Sequence, residues 1–238
     1  MFSADLHTHS VASGHAFSTI AEMAGYAAAN RFGLLAITDH GPAYRAPANL
    51  YYFGNLYRVP EYISGVRLLK GAEANVMYGD GRLDIPDEIL VDLEFVIASL
   101  HDNCLTPVDK QMDTQTLIRA MENPFIDGIG HIHRPPFSID ISEVVRAAKE
   151  YNKWIEINTC NMYEEGVRNG LKRILYETKK QNVPVYLGSD AHICYEIGCF
   201  ELIKPLLKEV GYPADNIVNQ SAGDTLLHIK ERRSGIFR

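Results

Sequence analysis

Short apolar runs alternate with longer amphipathic stretches along the whole chain. Seven runs rich in branched or aromatic residues read as strands: Ala4–His7, Leu34–Thr38, Val66–Ala72, Glu94–Ser99, Gly128–His131, Trp154–Asn158 and Val183–Ser189. Between them, apolar residues recur at helical spacing over Thr19–Asn30, Asp113–Glu122, Ser142–Asn152, Gly166–Gln181 and Tyr195–Val210. Ser18 and Ser142 are the expected caps of the first and third of these helices. The segment Gly41–Pro60, rich in Pro and Tyr, reads as a long loop, and Asn216–Asn219 is at most a short eighth strand. Strands and helices in strict alternation imply parallel strands with crossover helices, in an open sheet or a barrel.

The polar residues are concentrated where the strands end. The first strand closes on His7 and His9, which alternation places on one face. The second ends at Asp39-His40, the third at Glu73, the fourth at His101 and the fifth at His131. The sixth ends at Glu156-Ile157-Asn158 and the seventh at Asp190-Ala191-His192, while His15 follows the first strand. Seven of the nine histidines fall at or just past a strand end. In a parallel barrel those ends share one face, which is where such barrels build their sites. One such histidine is ordinarily a hydrogen-bonded structural residue. So many imidazoles and carboxylates gathered unpaired would cost several kcal/mol per group (roughly), and bound cations satisfy them economically. Imidazole and carboxylate donors suit zinc, iron or manganese.

Composition narrows the picture further. With 238 residues, 46% of them hydrophobic, the chain is long enough for one large domain over residues 1–238. A net charge of −7, without a Lys/Arg run, speaks against a dedicated nucleic-acid or anionic-membrane binder. No apolar stretch reaches the length of a membrane span and no leader pattern opens the chain, so a cytoplasmic location is expected. Cys104, Cys160, Cys194 and Cys199 form no CxxC pair. Reduced, partly buried thiols are expected, with Cys160 and Cys194 only minor candidates as ligands.

The segments Asp5-Leu6-His7-Thr8-His9-Ser10, Ile37-Thr38-Asp39-His40-Gly41, Gly71-Ala72-Glu73-Ala74-Asn75, Ser99-Leu100-His101, Gly130-His131 and Gly188-Ser189-Asp190-Ala191-His192 occur in this order. Together they resemble the PHP (polymerase and histidinol phosphatase) family, and within it the stand-alone phosphatases of the YcdX type. The resemblance runs from about residue 5 to 195. It implies a distorted (β/α)7 TIM-like barrel with the site at the C-terminal strand ends, and a metal-dependent phosphoesterase with three divalent ions, usually zinc. Carried over, His7, His9, Glu73 and Asp190 would hold one ion; Glu73, His101 and His131 a second; His15, His40 and His192 a third. The family usually has Pro after the fifth-strand histidine, whereas here the run is His131-Ile132-His133-Arg134-Pro135-Pro136. His133 is expected as an exposed loop residue that could meet the leaving group, and Arg134 as a fork for phosphate.

Of the neighbouring residues, Asp5 is expected on the His7 face, either orienting an imidazole or in an ion pair, and Asp39 as a turn cap facing away. Tyr44, Tyr51 and Tyr52 are read mainly as packing of their own loop. The expected partner is a small phosphorylated substrate, with homo-oligomers allowed by the resemblance. Amidohydrolase-type cleavage of C–N or C–O bonds, a nuclease and a non-catalytic metal-stabilised module are the rival readings.

Overall fold

The computed structural model describes residues 2–45, 48–77 and 79–235. Its strands are β1 (Ala4–Thr8), β2 (Leu34–Ile37), β3 (Tyr62–Ile63), β4 (Val66–Asn75), β5 (Phe95–Ser99), β6 (Gly128–Ile129), β7 (Trp154–Asn158) and β8 (Val185–Gly188). Seven of them run in parallel in the order β1-β2-β4-β5-β6-β7-β8, and β3 pairs antiparallel with β4. The helices are α1 (Ile20–Ala29), α2 (Leu50–Gly54), α3 (Asp87–Leu90), α4 (Lys110–Ala120), α5 (Ile141–Glu150), α6 (Glu165–Gln181), α7 (Ile203–Val210) and α8 (Ala222–Arg233).

The sheet curls until its first and last strands meet, giving the nearly closed (β/α)7 barrel expected. At the upper seam Thr8 and Ala191 form a bridge, and Asp190 N donates to His7 O over 2.8 Å. Lower down, the buried Asn219 side chain accepts from Leu187 N (2.8 Å) and donates to Leu187 O (2.8 Å) and Ala4 O (3.1 Å). One amide thus satisfies backbone groups that a directly paired strand would have served. The segment 216–219 is therefore not a strand; it contributes a single bridge, Val185 to Ile217.

Alternation along the strands fills the lower lumen. Ala4, Leu6, Leu34, Ala36, Leu69, Phe95, Ile97, Trp154 and Tyr186 form one buried cluster, and Val218 and Ile229 join it from below. Ile229 belongs to α8, a helix the periodicity did not single out, whose apolar side stoppers the barrel. A larger cluster joins the outer strand faces to α4, α5, α6 and α7.

Local chemistry corrects several expectations. Thr19, not Ser18, caps α1 in a reciprocal box with Glu22, and Ser18 Oγ accepts instead from Cys194 N. Asp140, not Ser142, caps α5. The helix expected over Tyr195–Val210 is interrupted and begins only at Ile203. Gly198 has φ +69° there, and a Cβ would overlap the Phe32 ring. Within Gly41–Pro60, α2 forms behind an Asn49 cap, while residues 46 and 47 lie outside the described set. The β3–β4 hairpin turns on Ser64 and Gly65, both at positive φ.

Candidate metal centre

Every expected ligand converges on the upper mouth of the barrel. His7 gets there through a shift in the β1–β2 register between Asp5 and Thr8, not through plain alternation. Asp5 accordingly turns from the cluster into the seam. It accepts from His7 N (3.3 Å), Ser189 N (3.1 Å) and Gly198 N (2.9 Å), and touches no imidazole.

At the centre, His7 Nε2 lies 3.0 Å from His9 Nε2, 3.5 Å from Glu73 Oε2 and 3.6 Å from Asp190 Oδ1. His9 Nε2 lies 3.1 Å from Asp190 Oδ1 and 3.6 Å from Glu73 Oε2. Donors arranged tetrahedrally about 2.0–2.1 Å from a cation would stand about 3.4 Å apart. His7 Nε2, His9 Nε2 and Asp190 Oδ1 therefore already have the spacing of part of a coordination shell, with Glu73 Oε2 within 3.6 Å of both imidazoles.

The other oxygen of Glu73 continues the array. Glu73 Oε1 is 2.9 Å from His131 Nε2 and 3.5 Å from His101 Nε2. His40 Nδ1 approaches Glu73 Oε2 to 2.7 Å, yet neither buried atom makes a hydrogen bond of acceptable geometry. Two orphaned buried donors this close are what a ligand pair looks like without its ion. At the outer edge His15 Nε2 is 2.8 Å from His192 Nε2. Three donor groups are compact enough for an ion: His7 with His9 and Asp190, His40 with Glu73 and His101, and His9 with His40 and His192. His40 thus lies between the second and third sets that the resemblance implies, and no cysteine joins a group among the described residues.

What holds these side chains is a second layer of acceptors. His7 Nδ1 faces Glu156 Oε1 at 2.6 Å, His9 Nδ1 faces Ser13 Oγ at 3.0 Å and His101 Nδ1 faces Asn75 Oδ1 at 2.7 Å. His15 Nδ1 and His192 Nδ1 meet the carbonyls of Ser13 (3.0 Å) and Asp190 (2.8 Å). An acceptor at Nδ1 fixes the proton there and leaves the Nε2 lone pair for a metal. Glu156 also accepts from His131 N at 2.7 Å, which stops β6 at Ile129. Gly188 makes room for it, since a Cβ there would meet Glu156 Oε1 at 2.2 Å. His131 (φ +21°) and Asp190 (φ +56°) both hold left-handed backbones, strain of about 1–3 kcal/mol each that clusters at functional sites.

Electrostatics suits a cation. Burial strongly opposes charge here. Nevertheless His7, His101 and His40 hold Glu73 well below the usual carboxylate range, and His7 and Arg134 do the same for Asp190. Burial would likewise strip the proton from His7, but Glu156, Glu73 and Asp190 keep it well above its ordinary value. Burial lowers His9 to about 4 and His40 to about 3, leaving both in the neutral form that ligates.

Arg134 closes one side of the mouth. Its Nη2 donates to Asn158 Oδ1 (2.8 Å) and pairs with Asp190 Oδ2 (2.9 Å), and the side chain stays 30% exposed. Asn158 Nδ2 donates to Glu156 Oε1 (3.1 Å) and Asp190 Oδ2 (3.3 Å). His133, expected to be exposed, instead packs against Gly170 of α6 with both ring nitrogens buried and unpartnered. Burial takes it down to about 3, so at neutral pH the ring is in its neutral form.

Three further residues do more than the sequence suggested. Tyr44 stacks on His40, with ring centroids 3.8 Å apart. Tyr52 OH donates to Asp39 Oδ2 at 2.5 Å. Asp39, far from a simple turn cap, also accepts from Ser10 and Ser13. Glu156 is the main omission, and its signal was present: it alternates with Trp154 and Asn158 on the inward face of β7.

Known proteins share the sequence pattern and the fold of this chain. The sequence profile of the PHP domain matches residues 5–160. A probable phosphatase of Acetivibrio thermocellus is 44% identical over 238 residues, spanning 100% of this chain and 99% of its own. Another, from Caldanaerobacter subterraneus subsp. tengcongensis, is 45% identical over 237 residues, 98% of this chain and 92% of its own. Among solved structures, histidinol phosphate phosphatase of Lactococcus lactis, complexed with zinc, L-histidinol and phosphate, superposes with a TM-score of 0.68. It covers 93% of this chain and 97% of that one at 18% identity, a likeness of fold. Among the described residues no helix is long and apolar enough to cross a membrane.

Proposed function

The chain belongs to the PHP domain family and is a metal-dependent phosphoesterase, and from that premise we propose that it hydrolyses a small phosphomonoester with three divalent cations, zinc being the first choice and manganese or iron the others. His7, His9, Glu73 and Asp190 hold the first cation. Glu73, His101 and His131 hold the second, with Glu73 shared. His15, His40 and His192 hold the third. Bound cations supply an acidified water as nucleophile and neutralise charge on the phosphoryl oxygens.

The protein's own residues do the rest. Glu156 and Ser13 keep His7 and His9 aimed, so little reorganisation accompanies the reaction. Arg134, fixed by Asn158 and Asp190 but open toward the mouth, binds a phosphoryl oxygen with its remaining N–H groups. The barrel walls, buried down to His7 and Glu73, keep bulk water from the reacting centre.

The observation that carries this reading is the buried trio His7 Nε2, His9 Nε2 and Asp190 Oδ1, 3.0, 3.1 and 3.6 Å from one another, the spacing of donors around one cation. Elemental analysis of the purified protein, followed by a phosphate-release screen over monoesters and diesters, tests it. About three divalent ions per chain and turnover of monoesters are expected. A protein that binds no divalent ion, or that releases phosphate equally well in the presence of a strong chelator, overturns the proposal.

A further inference from the structure

One serine holds the imidazole-rich side of the cluster together. Ser13 is fully buried at the end of a short turn, Val11–Ser13, that closes on a left-handed Gly14. A hydroxyl has one proton and two lone pairs, and here all three are committed. The proton goes to Asp39 Oδ1 at 2.7 Å, because a carboxylate can only accept. His40 N donates to Ser13 Oγ over 3.2 Å, and His9 Nδ1 faces that hydroxyl oxygen at 3.0 Å. His9 Nδ1 must therefore be the protonated nitrogen, and its Nε2 lone pair is turned to the centre. The Ser13 carbonyl does the same for His15, accepting from Nδ1 at 3.0 Å.

Asp39 is itself pinned. Besides Ser13 it accepts from Ser10 N (2.7 Å), Ser10 Oγ (2.8 Å) and Tyr52 OH (2.5 Å), so it cannot swing toward the imidazoles. We infer that Ser13 is a positioning residue that fixes His9, His40 and His15 for metal, and that the ion on this side depends on it most. The inference rests on the metal-cluster reading above. It is strongest here because the ligands proposed for the third cation, His15, His40 and His192, include no carboxylate, and two of them, His15 and His40, hydrogen-bond to Ser13. Neutral ligands leave a cation's charge uncompensated, so affinity there depends more on ligand orientation than beside Glu73 or Asp190.

The test compares wild type, Ser13→Ala and Ser10→Ala, each loaded with zinc and dialysed against a graded series of chelator concentrations. Bound zinc per chain and phosphate release are read at each step. Ser10→Ala removes a hydrogen bond to Asp39 but no contact to an imidazole, so it controls for general loosening of the turn. Ser13→Ala is expected to lose its most labile zinc at about 10–100-fold lower chelator. Its kcat should fall with KM little changed, and excess zinc should restore it. Ser10→Ala, which takes one of several hydrogen bonds from Asp39, should shift the labile zinc in the same direction by a much smaller factor than Ser13→Ala. Coincident zinc-retention curves for Ser13→Ala and wild type, or equal loss from Ser10→Ala, overturn the inference. If Ser13→Ala does not fold, Tyr52→Phe takes its place. It should shift the labile zinc in the same direction by a smaller factor, and no shift counts against the inference. A wild type that retains no zinc at any step overturns the cluster itself.

Discussion

Both ends of the barrel bury ionisable groups, and they resolve them differently. At the lower end, fully buried Asp127 accepts from Val96 N (2.8 Å) and Arg233 Nε (3.0 Å), and both Arg232 and Arg233 of α8 pair with it through Nη2. Lys153 donates to Asn123 O (2.7 Å) and Ile126 O (2.9 Å). Apart from Arg232 Nε, these groups find covalently attached partners. At the upper end, Glu73 and His40 face each other without bonding, and imidazole nitrogens crowd two carboxylates. A buried network that is complete is a device for stability, and one that lacks a component is a binding site. The lower end ties the last helix to the strand bottoms; the upper end is finished by what it binds.

The sharpest way to break this comparison is to delete one charge at each end while keeping side-chain shape. Glu73→Gln removes the carboxylate shared by His7, His40, His101 and His131. With several kcal/mol of cation-borne stabilisation lost, phosphate release should fall by about 1000-fold or more, while the chelator-treated protein still melts cooperatively. Asp127→Asn strands two buried guanidinium groups and should cost about 3–5 kcal/mol, lowering the melting temperature by roughly 10 °C. Its zinc content and its kcat below that melt should match wild type. If the two variants exchanged these outcomes, the division of labour between the ends would be wrong.

A finer cut separates ligands from the groups that aim them. Glu156 touches His7 Nδ1 and His131 N but is not expected to touch an ion. Glu156→Gln should weaken zinc retention or activity by about 10–100-fold, less than the loss of Glu73. An effect as large as that of Glu73→Gln would mean that Glu156 is itself a ligand.

The same contrast explains what could be read from the sequence. The convergence of the candidate ligands was legible because parallel topology collects the strand ends on one face whatever the details of register. The supporting layer was not. Glu156 was visible on the inward phase of β7, but a carboxylate next to a strand end looks the same whether it binds metal or steadies a histidine. Ser13 is an ordinary turn residue until its distances to His9, His40 and Asp39 are known. The plain alternation assumed for β1 was broken by the register shift after Asp5, which no residue type announces. The lower end was missed altogether, because α8 gains its role from Asp127, about a hundred residues earlier in the chain.

The smallest predicted effect concerns pH, and it tells the ends apart without touching the site. Burial, with help from Arg232, pushes Lys153 down to about 7, against an ordinary lysine near 10.4. Between those values the unfolded chain binds a proton that the folded chain has released, so stability should rise with pH from about 7 upward and be lost as pH falls through 7. The gain between pH 7 and pH 9 is at most about 2 kcal/mol, since each unit is worth about 1.4 kcal/mol per proton. The upper end opposes this through His7, which is held well above its ordinary value and so loses stabilisation as pH rises, and it adds an acid limb of its own. His9 at about 4 and His40 at about 3 lie below the ordinary histidine value, so the metal-free protein should lose stability as pH falls from about 6.5 toward 4. Urea unfolding of chelator-treated protein, repeated with Lys153→Met, should therefore flatten the alkaline limb and leave the acid limb in place. A variant that keeps the full alkaline slope would show that Lys153 stays charged between its two carbonyls, and that the lower end is held by three cations around Asp127.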